Sequence, residues 1–176
     1  MKKIQLEPQI AIELVDPKMA AEAYTAIDAN RDFLSQWLSW PALTKSPADF
    51  ESFARSRQDL YEAGKGMTYL IYFEGKIVGA AGFNDIIPAR QLATIGYWLV
   101  EEAQGNGIIT RVCKELIRIA FEDLQLSKVQ LSAAEFNLPS RNVAERLGMT
   151  LEGCISHAEN VNGKILSHAV YGLLKE

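Results

Sequence analysis

Apolar and polar residues alternate over Ile10–Leu14, and this spacing of two predicts a strand. A helix is predicted to follow as far as about Asn30, because Asp16 can cap a helix and Pro17 suits a first helical turn. Apolar residues at helical spacing continue through the segment Arg31–Pro41. The first part of the chain is therefore predicted to be one strand followed by helical segments.

The pattern changes from helical to extended near residue 66. Capping signals at Ser46 predict a helix that Gly64 ends. Beyond it, the apolar segments Met67–Phe73 and Lys76–Phe83 flank Glu74-Gly75, a dipeptide typical of a tight turn. These residues predict an antiparallel hairpin.

A strand, a helix and a second strand are predicted in the middle of the chain, over Leu92–Val100, residues 108–124 and Val129–Ala133. A strand-helix-strand unit of this kind pairs its strands in parallel, so the sheet should be mixed. The remaining predicted elements are a short helix over Ser140–Leu147 and strands over Met149–Ile155 and Leu166–Leu174.

The run Gln104–Thr110 lies between the apolar strand Leu92–Val100 and the long amphipathic helix. Its glycines, Gly105 and Gly107, leave the backbone amides uncovered, and a helix N-terminus attracts anions through its unpaired N–H groups and its dipole. The run is therefore a candidate site for a phosphate-bearing ligand. A tight strand-to-helix turn without a ligand is the alternative interpretation.

Composition narrows the classes of protein. The 176 residues are 48% apolar, which suits a single domain over residues 1–176. A net charge of −4 offers no basic surface for nucleic acid or anionic lipid, and no apolar run could span a bilayer, so we expect a cytoplasmic protein. Cys113 and Cys154 are expected to be reduced, packed thiols, and His157 and His168 are too few and too distant in sequence for a metal site.

Three motifs resemble the GCN5-related N-acetyltransferase family, in particular its RimJ/RimL-type branch. The first is Gln104–Ile109, similar to the pattern Gln/Arg-x-x-Gly-x-Gly/Ala, with Ile109 in the last Gly/Ala position. The second, Asn137–Met149, is similar to Asn-x-x-Ser followed by Gly-Phe, with Met149 in the Phe position. The third is the strand Ile95–Leu99. The resemblance extends over nearly the whole chain.

The resemblance implies a mixed, mostly antiparallel α/β sheet of about seven strands, splayed in the middle and flanked by about four helices. It implies direct transfer of an acetyl group from acetyl-CoA to a primary amine, without a metal. Backbone groups of Leu99 and Val100 would hold the pantetheine and the thioester. The other residues implied to bind the cofactor are Gln104, Gly105, Asn106, Gly107, Ile108, Ile109, Thr110, Asn137 and Ser140. The side chain of Ile109 must then point away from the pyrophosphate.

Two residues are predicted to be catalytic. Glu101, at the end of a strand, could accept the proton of the incoming ammonium, although acids at strand ends are often only solvated. Ser140 matches the family hydroxyl that hydrogen-bonds the CoA sulfur, whereas its alternative is a helix N-cap. Asn137 would bind pantetheine amides or simply form a turn.

The acceptor cleft is predicted to be lined by side chains of the first helical region and the central strands: Trp37, Trp40, Phe83, Asn84 and Tyr97. Core packing is the alternative for both tryptophans. The favoured acceptor is the N-terminal α-amino group of a protein, for example a ribosomal protein. A small amine such as a polyamine, aminoglycoside or amino acid, and a non-catalytic acyl-CoA-binding module, are the alternatives. The resemblance is also compatible with a homodimer.

Overall fold

Eight strands form one sheet in the computed structural model, which describes residues 3–176. They are β1 (Lys3–Glu7), β2 (Ile10–Leu14), β3 (Met67–Phe73), β4 (Lys76–Ile87), β5 (Leu92–Leu99), β6 (Lys128–Ala134), β7 (Thr150–Val161) and β8 (Lys164–Leu174). Their order across the sheet is β1-β2-β3-β4-β5-β6-β8-β7. Only the β5–β6 pair is parallel among these strands, so the mixed, mostly antiparallel sheet is confirmed.

Five α-helices cover the two faces of this sheet: α1 (Ala20–Ala29), α2 (Arg31–Leu34), α3 (Pro47–Glu62), α4 (Ile108–Arg118) and α5 (Leu138–Arg146). Helices α1 and α3 pack against Leu70 and Ala80. Helices α4 and α5 pack against Ile71 and Ala81, the residues next to these on the same strands. Because successive side chains of a strand point to opposite faces, the sheet has an α1/α3 face and an α4/α5 face.

Local signals in the sequence account for several helix boundaries. The Asp16 carboxylate accepts a hydrogen bond from the Lys18 amide at 2.9 Å, and Pro17 begins the short 3₁₀ turn that leads into α1. The Ser46 hydroxyl accepts from the Asp49 amide at 3.3 Å at the start of α3. Both predicted caps are confirmed.

The structure adds to the predicted elements at three places. Strand β1 was not expected, because its alternating residues are largely polar and it lies at the exposed edge of the sheet. The predicted helical segment Arg31–Pro41 contains only one α-helical turn, α2, before a separate 3₁₀ turn over Trp40–Ala42. The helix after the glycine loop changes from α to π geometry over Ile119–Asp123.

The sheet opens between its two central strands. Strands β5 and β6 pair only from Leu92–Ile95 to Lys128–Leu131. Strand β5 then continues along β4 to Leu99, while β6 continues along β8 to Ala134. The unpaired edges Gly96–Leu99 and Ser132–Ala134 border what we call the opening. This arrangement matches the predicted splaying of the central strands.

Candidate functional site

A glycine loop connects the end of β5 to α4 on one side of the opening. Gly105 and Gly107 have φ angles of 79° and 68°, in the left-handed region that favours glycine. A Cβ atom added to Gly105 would have no heavy atom within 4 Å, so the space beside it is open. The side-chain amide of Asn106 donates hydrogen bonds to the carbonyls of Ala103 and Gln104 at 3.1 and 3.2 Å, which closes the loop on itself.

The backbone amides of residues 105–110 point away from the acceptors of the part of the chain that the structure describes. Gly107 is the N-cap of α4, and no side chain caps it. The first helical hydrogen bond runs from the Arg111 amide to the Gly107 carbonyl at 3.2 Å. Among residues 3–176, none accepts a hydrogen bond from the amides of residues 105–110 outside regular helix or strand pairing. Such a set of donors at a helix N-terminus fits the diphosphate of CoA.

The Ile109 side chain is 8% exposed and packs in the core beneath α4. It points away from the loop surface, as we expected if the backbone N–H of Ile109 is to donate to a ligand. The departure from the family pattern at Ile109 therefore leaves the loop uncovered. Ile108 is 1% exposed in the same core, so both residues anchor the first turn of the helix.

Two arginines border the loop, and sequence reasoning missed both. The Arg111 guanidinium donates to the Asn106 carbonyl at 3.0 Å and forms an ion pair with the Glu7 carboxylate. The Arg146 Nε lies 3.4 Å from the Thr110 hydroxyl, to which it donates. A guanidinium binds phosphate oxygens well. Because Arg111 lies one helical turn after Gly107, its position near the loop could have been predicted from the sequence. Arg146 lies on a different helix, α5, so its position near the loop could not.

At the end of β5, Leu99 and Val100 differ in the direction of their backbone N–H and C=O groups. The Val100 amide donates to the Val78 carbonyl at 2.8 Å, and its carbonyl accepts from the Ala103 amide at 3.3 Å. Since successive peptide groups point to opposite edges of a strand, the backbone groups of Leu99 face the opening. The geometry therefore supports Leu99 as a ligand-binding position, whereas both backbone groups of Val100 already have partners.

A hydrogen bond connects the two sides of the opening on the α4/α5 face. The hydroxyl oxygens of Tyr97, on β5, and Ser140, on α5, lie 2.7 Å apart. The Asn137 side chain accepts from the Ser140 amide at 3.3 Å and caps α5, so the alternative that Ser140 is the N-cap is wrong. Burial raises the pKa of Tyr97 well above its usual value.

Aromatic and polar side chains lie over the opposite, α1/α3 face. Trp98 follows Tyr97 and points to this face, where its ring centroid lies 5.7 Å from that of Trp40. The Asn84 amide covers Gly96 so closely that a side chain at Gly96 would collide with it. Trp40 and Asn84, both predicted to line the acceptor cleft, are thus brought to one face beside the opening.

Three further side chains join this face from distant parts of the chain. The Ser39 hydroxyl donates to the Glu159 carboxylate at 3.2 Å, and His168 Nε2 lies 3.4 Å from the other carboxylate oxygen. His168 pairs with Ala134, at the end of β6. The segment Ser39–Trp40 therefore contacts both sides of the opening. The sequence analysis missed Glu159, because 120 residues separate it from Ser39.

Glu101 lies on the same face, next to the end of α1. The Asn30 side chain, which is 8% exposed, accepts from the Glu101 amide at 3.1 Å and donates to the Ala26 carbonyl. The Glu101 carboxylate borders a surface pocket that residues 28–33 also line. No residue among 3–176 forms an ion pair or a hydrogen bond with that carboxylate.

Three predictions need correction. Phe83 is fully buried in the core on the α4/α5 face, so it does not line a cleft. Tyr97 contacts Ser140 rather than Trp40, which groups it with the opposite face. Cys154 is exposed on the edge strand β7, whereas Cys113 is buried as expected and burial raises its pKa to about 12. Trp37 is partly buried.

The part of the chain that the structure describes contains no cluster of three or more His, Cys, Asp or Glu side chains arranged to hold a metal ion. None of the helices within residues 3–176 is long and apolar enough to cross a membrane.

Comparison with known proteins gives the class. The model of the acetyltransferase (GNAT) domain matches residues 11–150. The ribosomal-protein-serine acetyltransferase of Escherichia coli is 31% identical over 159 residues, which are 90% of this chain and 89% of that protein. The chain belongs to the GNAT acetyltransferase family.

Solved structures agree in fold over almost the full length. RimL, a ribosomal L7/L12 alpha-N-protein acetyltransferase in complex with coenzyme A, is 27% identical with a TM-score of 0.93, over 98% of this chain and 97% of that chain. The microcin C7 self-immunity acetyltransferase MccE, in complex with acetyl-CoA and AMP, is 28% identical with a TM-score of 0.93, over 99% and 97%. This chain is accordingly an acetyl-CoA-dependent N-acetyltransferase related to the RimL- and RimJ-type enzymes.

Proposed function

We propose that this enzyme acetylates the N-terminal α-amino group of a protein, with acetyl-CoA bound on the α4/α5 face and the amine approaching from the α1/α3 face. The observation that carries the proposal is the pair of different surfaces on either side of one opening. One offers backbone amides at residues 105–110, and the other offers tryptophans and carboxylates. An anionic donor and a cationic acceptor require these opposite environments.

The cofactor side consists of the loop amides and Leu99. The amides of residues 105–110 hold the diphosphate, aided by the guanidinium groups of Arg111 and Arg146. The backbone of Leu99 binds the pantetheine arm and polarises the thioester carbonyl, because its peptide groups face the opening. Ser140 donates a hydrogen bond to the sulfur as the thiolate leaves.

The base that takes the proton of the ammonium is one of two carboxylates on the acceptor side. Glu159 is held by Ser39 and His168 beside the opening, and an oriented carboxylate loses less freedom in a reaction than a mobile one. We therefore propose Glu159 as the base. Glu101, the residue predicted from the sequence, is the alternative, since its carboxylate is exposed on the same face.

A protein N-terminus is the favoured acceptor because the related enzymes act on ribosomal proteins. A small amine is the second candidate, favoured by the equally close fold of MccE, whose structure contains AMP.

The test is release of CoA thiol from acetyl-CoA with a panel of amines. The panel contains short peptides with free N-terminal Ser, Ala, Gly or Met, the same peptides with blocked N-termini, spermidine, an aminoglycoside and free amino acids. We expect turnover of free peptides and none of blocked ones. Turnover of a small amine alone would overturn the N-terminal proposal. Binding of CoA by calorimetry without turnover of any free peptide would equally overturn it.

A further inference from the structure

The hydrogen bond between Tyr97 and Ser140 lies across the opening. Tyr97 lies on the part of β5 that pairs with β4 but not with β6, and Ser140 lies in the first turn of the helix that follows β6. Their hydroxyl oxygens are 2.7 Å apart, so this bond joins the two sides of the opening. We propose that Tyr97 is a positioning residue, which orients the Ser140 hydroxyl toward the sulfur of the acetyl donor.

Either hydroxyl of the pair can be the donor, and the proposal concerns the arrangement in which Tyr97 donates. Tyr97 is held neutral because burial raises its pKa, so it carries a proton at any ordinary pH. The nearest acceptors for that proton are the Ser140 hydroxyl at 2.7 Å and the Ser140 carbonyl at 3.4 Å. When Tyr97 donates to the Ser140 oxygen, the serine proton is available for a third group.

The backbone of Ser140 is fixed at the same time, because the Asn137 side chain accepts from its amide at 3.3 Å. A serine hydroxyl on a fixed backbone still rotates about its side-chain bond. The contact with Tyr97 limits this rotation. Hydrogen bonds in a chain also strengthen one another, so a serine that accepts from Tyr97 is the better donor.

The inference rests on the proposed function, because it needs the sulfur to lie next to Ser140. In that reaction the neutral amine nitrogen bonds to the acetyl carbon, the carbon–sulfur bond breaks, and its electron pair stays on the sulfur. The proton lost by the ammonium goes to the acceptor-side base, and the second proton, which the nitrogen loses once it is bonded to the acetyl carbon, goes to the thiolate, so that CoA leaves as the thiol. Ser140 keeps its proton and donates a hydrogen bond to the developing thiolate. Tyr97 stabilises this arrangement without touching the donor.

A titration of bound CoA tests the inference without an acceptor. The thiolate of CoA is followed by its ultraviolet absorbance as pH rises, in complexes with the wild type, Tyr97→Phe, Ser140→Ala and the double variant. We expect Tyr97→Phe to raise the pKa of the bound thiol by about 1, a tenfold loss of thiolate at a given pH. We expect the double variant to match Ser140→Ala.

A kinetic cycle on the same four proteins gives the second readout. With the fastest amine of the panel, we expect Tyr97→Phe to lower kcat about tenfold and to leave the KM for acetyl-CoA within about twofold. In the Ser140→Ala background the same change should have no further effect. Tyr69→Phe is the matched control, because Tyr69 is also buried on the α4/α5 side and its hydroxyl contacts only Met67.

Each outcome decides the inference. It is overturned if Tyr97→Phe leaves the pKa of bound CoA unchanged, or if Tyr97→Phe and Ser140→Ala act independently. It is also overturned if the loss appears in KM or equally in Tyr69→Phe, since that would indicate a packing role. Turnover of no amine, with the expected thiol titration, would overturn the proposed function while supporting the contact between Tyr97, Ser140 and sulfur.

Discussion

The two sides of the opening are built in different ways. On the α4/α5 face, the proposed donors for phosphate are backbone amides from one short segment, residues 105–110, and a glycine loop suffices to expose them. On the α1/α3 face, the groups are side chains of Ser39, Trp98 and Glu159, which only the folded sheet brings together. A cofactor that never changes can be bound by backbone. An acceptor that differs between related enzymes is, in our proposal, bound by side chains, which mutation can replace.

This contrast predicts that the two faces can be impaired separately. Substitutions at the glycine loop of the α4/α5 face should weaken binding of CoA and leave the preference among amines unchanged. Substitutions on the α1/α3 face should do the opposite.

The largest effect is expected from removing the base. We expect Glu159→Gln to lower kcat/KM for the amine by about 10²–10⁴-fold, because general base catalysis contributes that much. The Kd of CoA, measured by calorimetry, should stay within about twofold of wild type. Glu101→Gln is the same exchange on the same face. If it causes the large loss while Glu159→Gln is nearly normal, the base is the residue predicted from the sequence.

A side chain in the glycine loop should give the next largest effect. We expect Gly105→Ala to weaken binding of CoA about tenfold, because the methyl group enters the open space where an anion approaches the amides. Gly64→Ala is the control, since Gly64 also has a left-handed φ, 66°, and open space around it. Both variants should lose similar stability, roughly 1 kcal/mol, in thermal unfolding. Equal affinities for CoA in the two variants would argue against the loop as the site.

Removing one guanidinium at the loop should cost less. We expect Arg111→Gln to weaken CoA binding about fivefold, or roughly 1 kcal/mol, with a smaller loss at high salt. Arg118→Gln is matched to it, because Arg118 is on the same helix and is also ion-paired, with Glu115, Glu122 and Asp123. Calorimetry at two salt concentrations checks the expectation. A salt-independent loss would indicate that Arg111 acts only on the fold.

The smallest effect is expected from the Ser39 hydroxyl. We expect Ser39→Ala to lower kcat/KM for the amine about threefold to fivefold, because one neutral hydroxyl that orients Glu159 is worth about 1 kcal/mol. Ser52→Ala removes a hydroxyl on α3 that bonds only to its own helix, and it should leave the rate unchanged. If Ser39→Ala lowers kcat/KM by the same factor in the Glu159→Gln background, the Ser39 hydroxyl does not act through Glu159.

The sequence was more informative about one face than the other, for the same physical reason. The loop and its helix are contiguous, so the local pattern indicated a candidate anion site, and the family resemblance indicated Asn137 and Ser140; Ile109 packs as expected. Glu159 could not be recognised, because its partners lie on different strands and helices. Tyr97 and Phe83 were assigned to the wrong surroundings, since alternation along a strand does not tell which face is which until the helices are packed.

In our proposal, one opening separates the cofactor from the acceptor. A crystal structure of the complex with CoA shows directly on which face the cofactor lies. We predict the diphosphate at the amides of residues 105–110, the pantetheine along Leu99, and the sulfur next to Ser140. The surface around Trp98 and Glu159 should remain open for the amine. A CoA molecule seated on that α1/α3 surface, or a sulfur far from Ser140, would contradict the account.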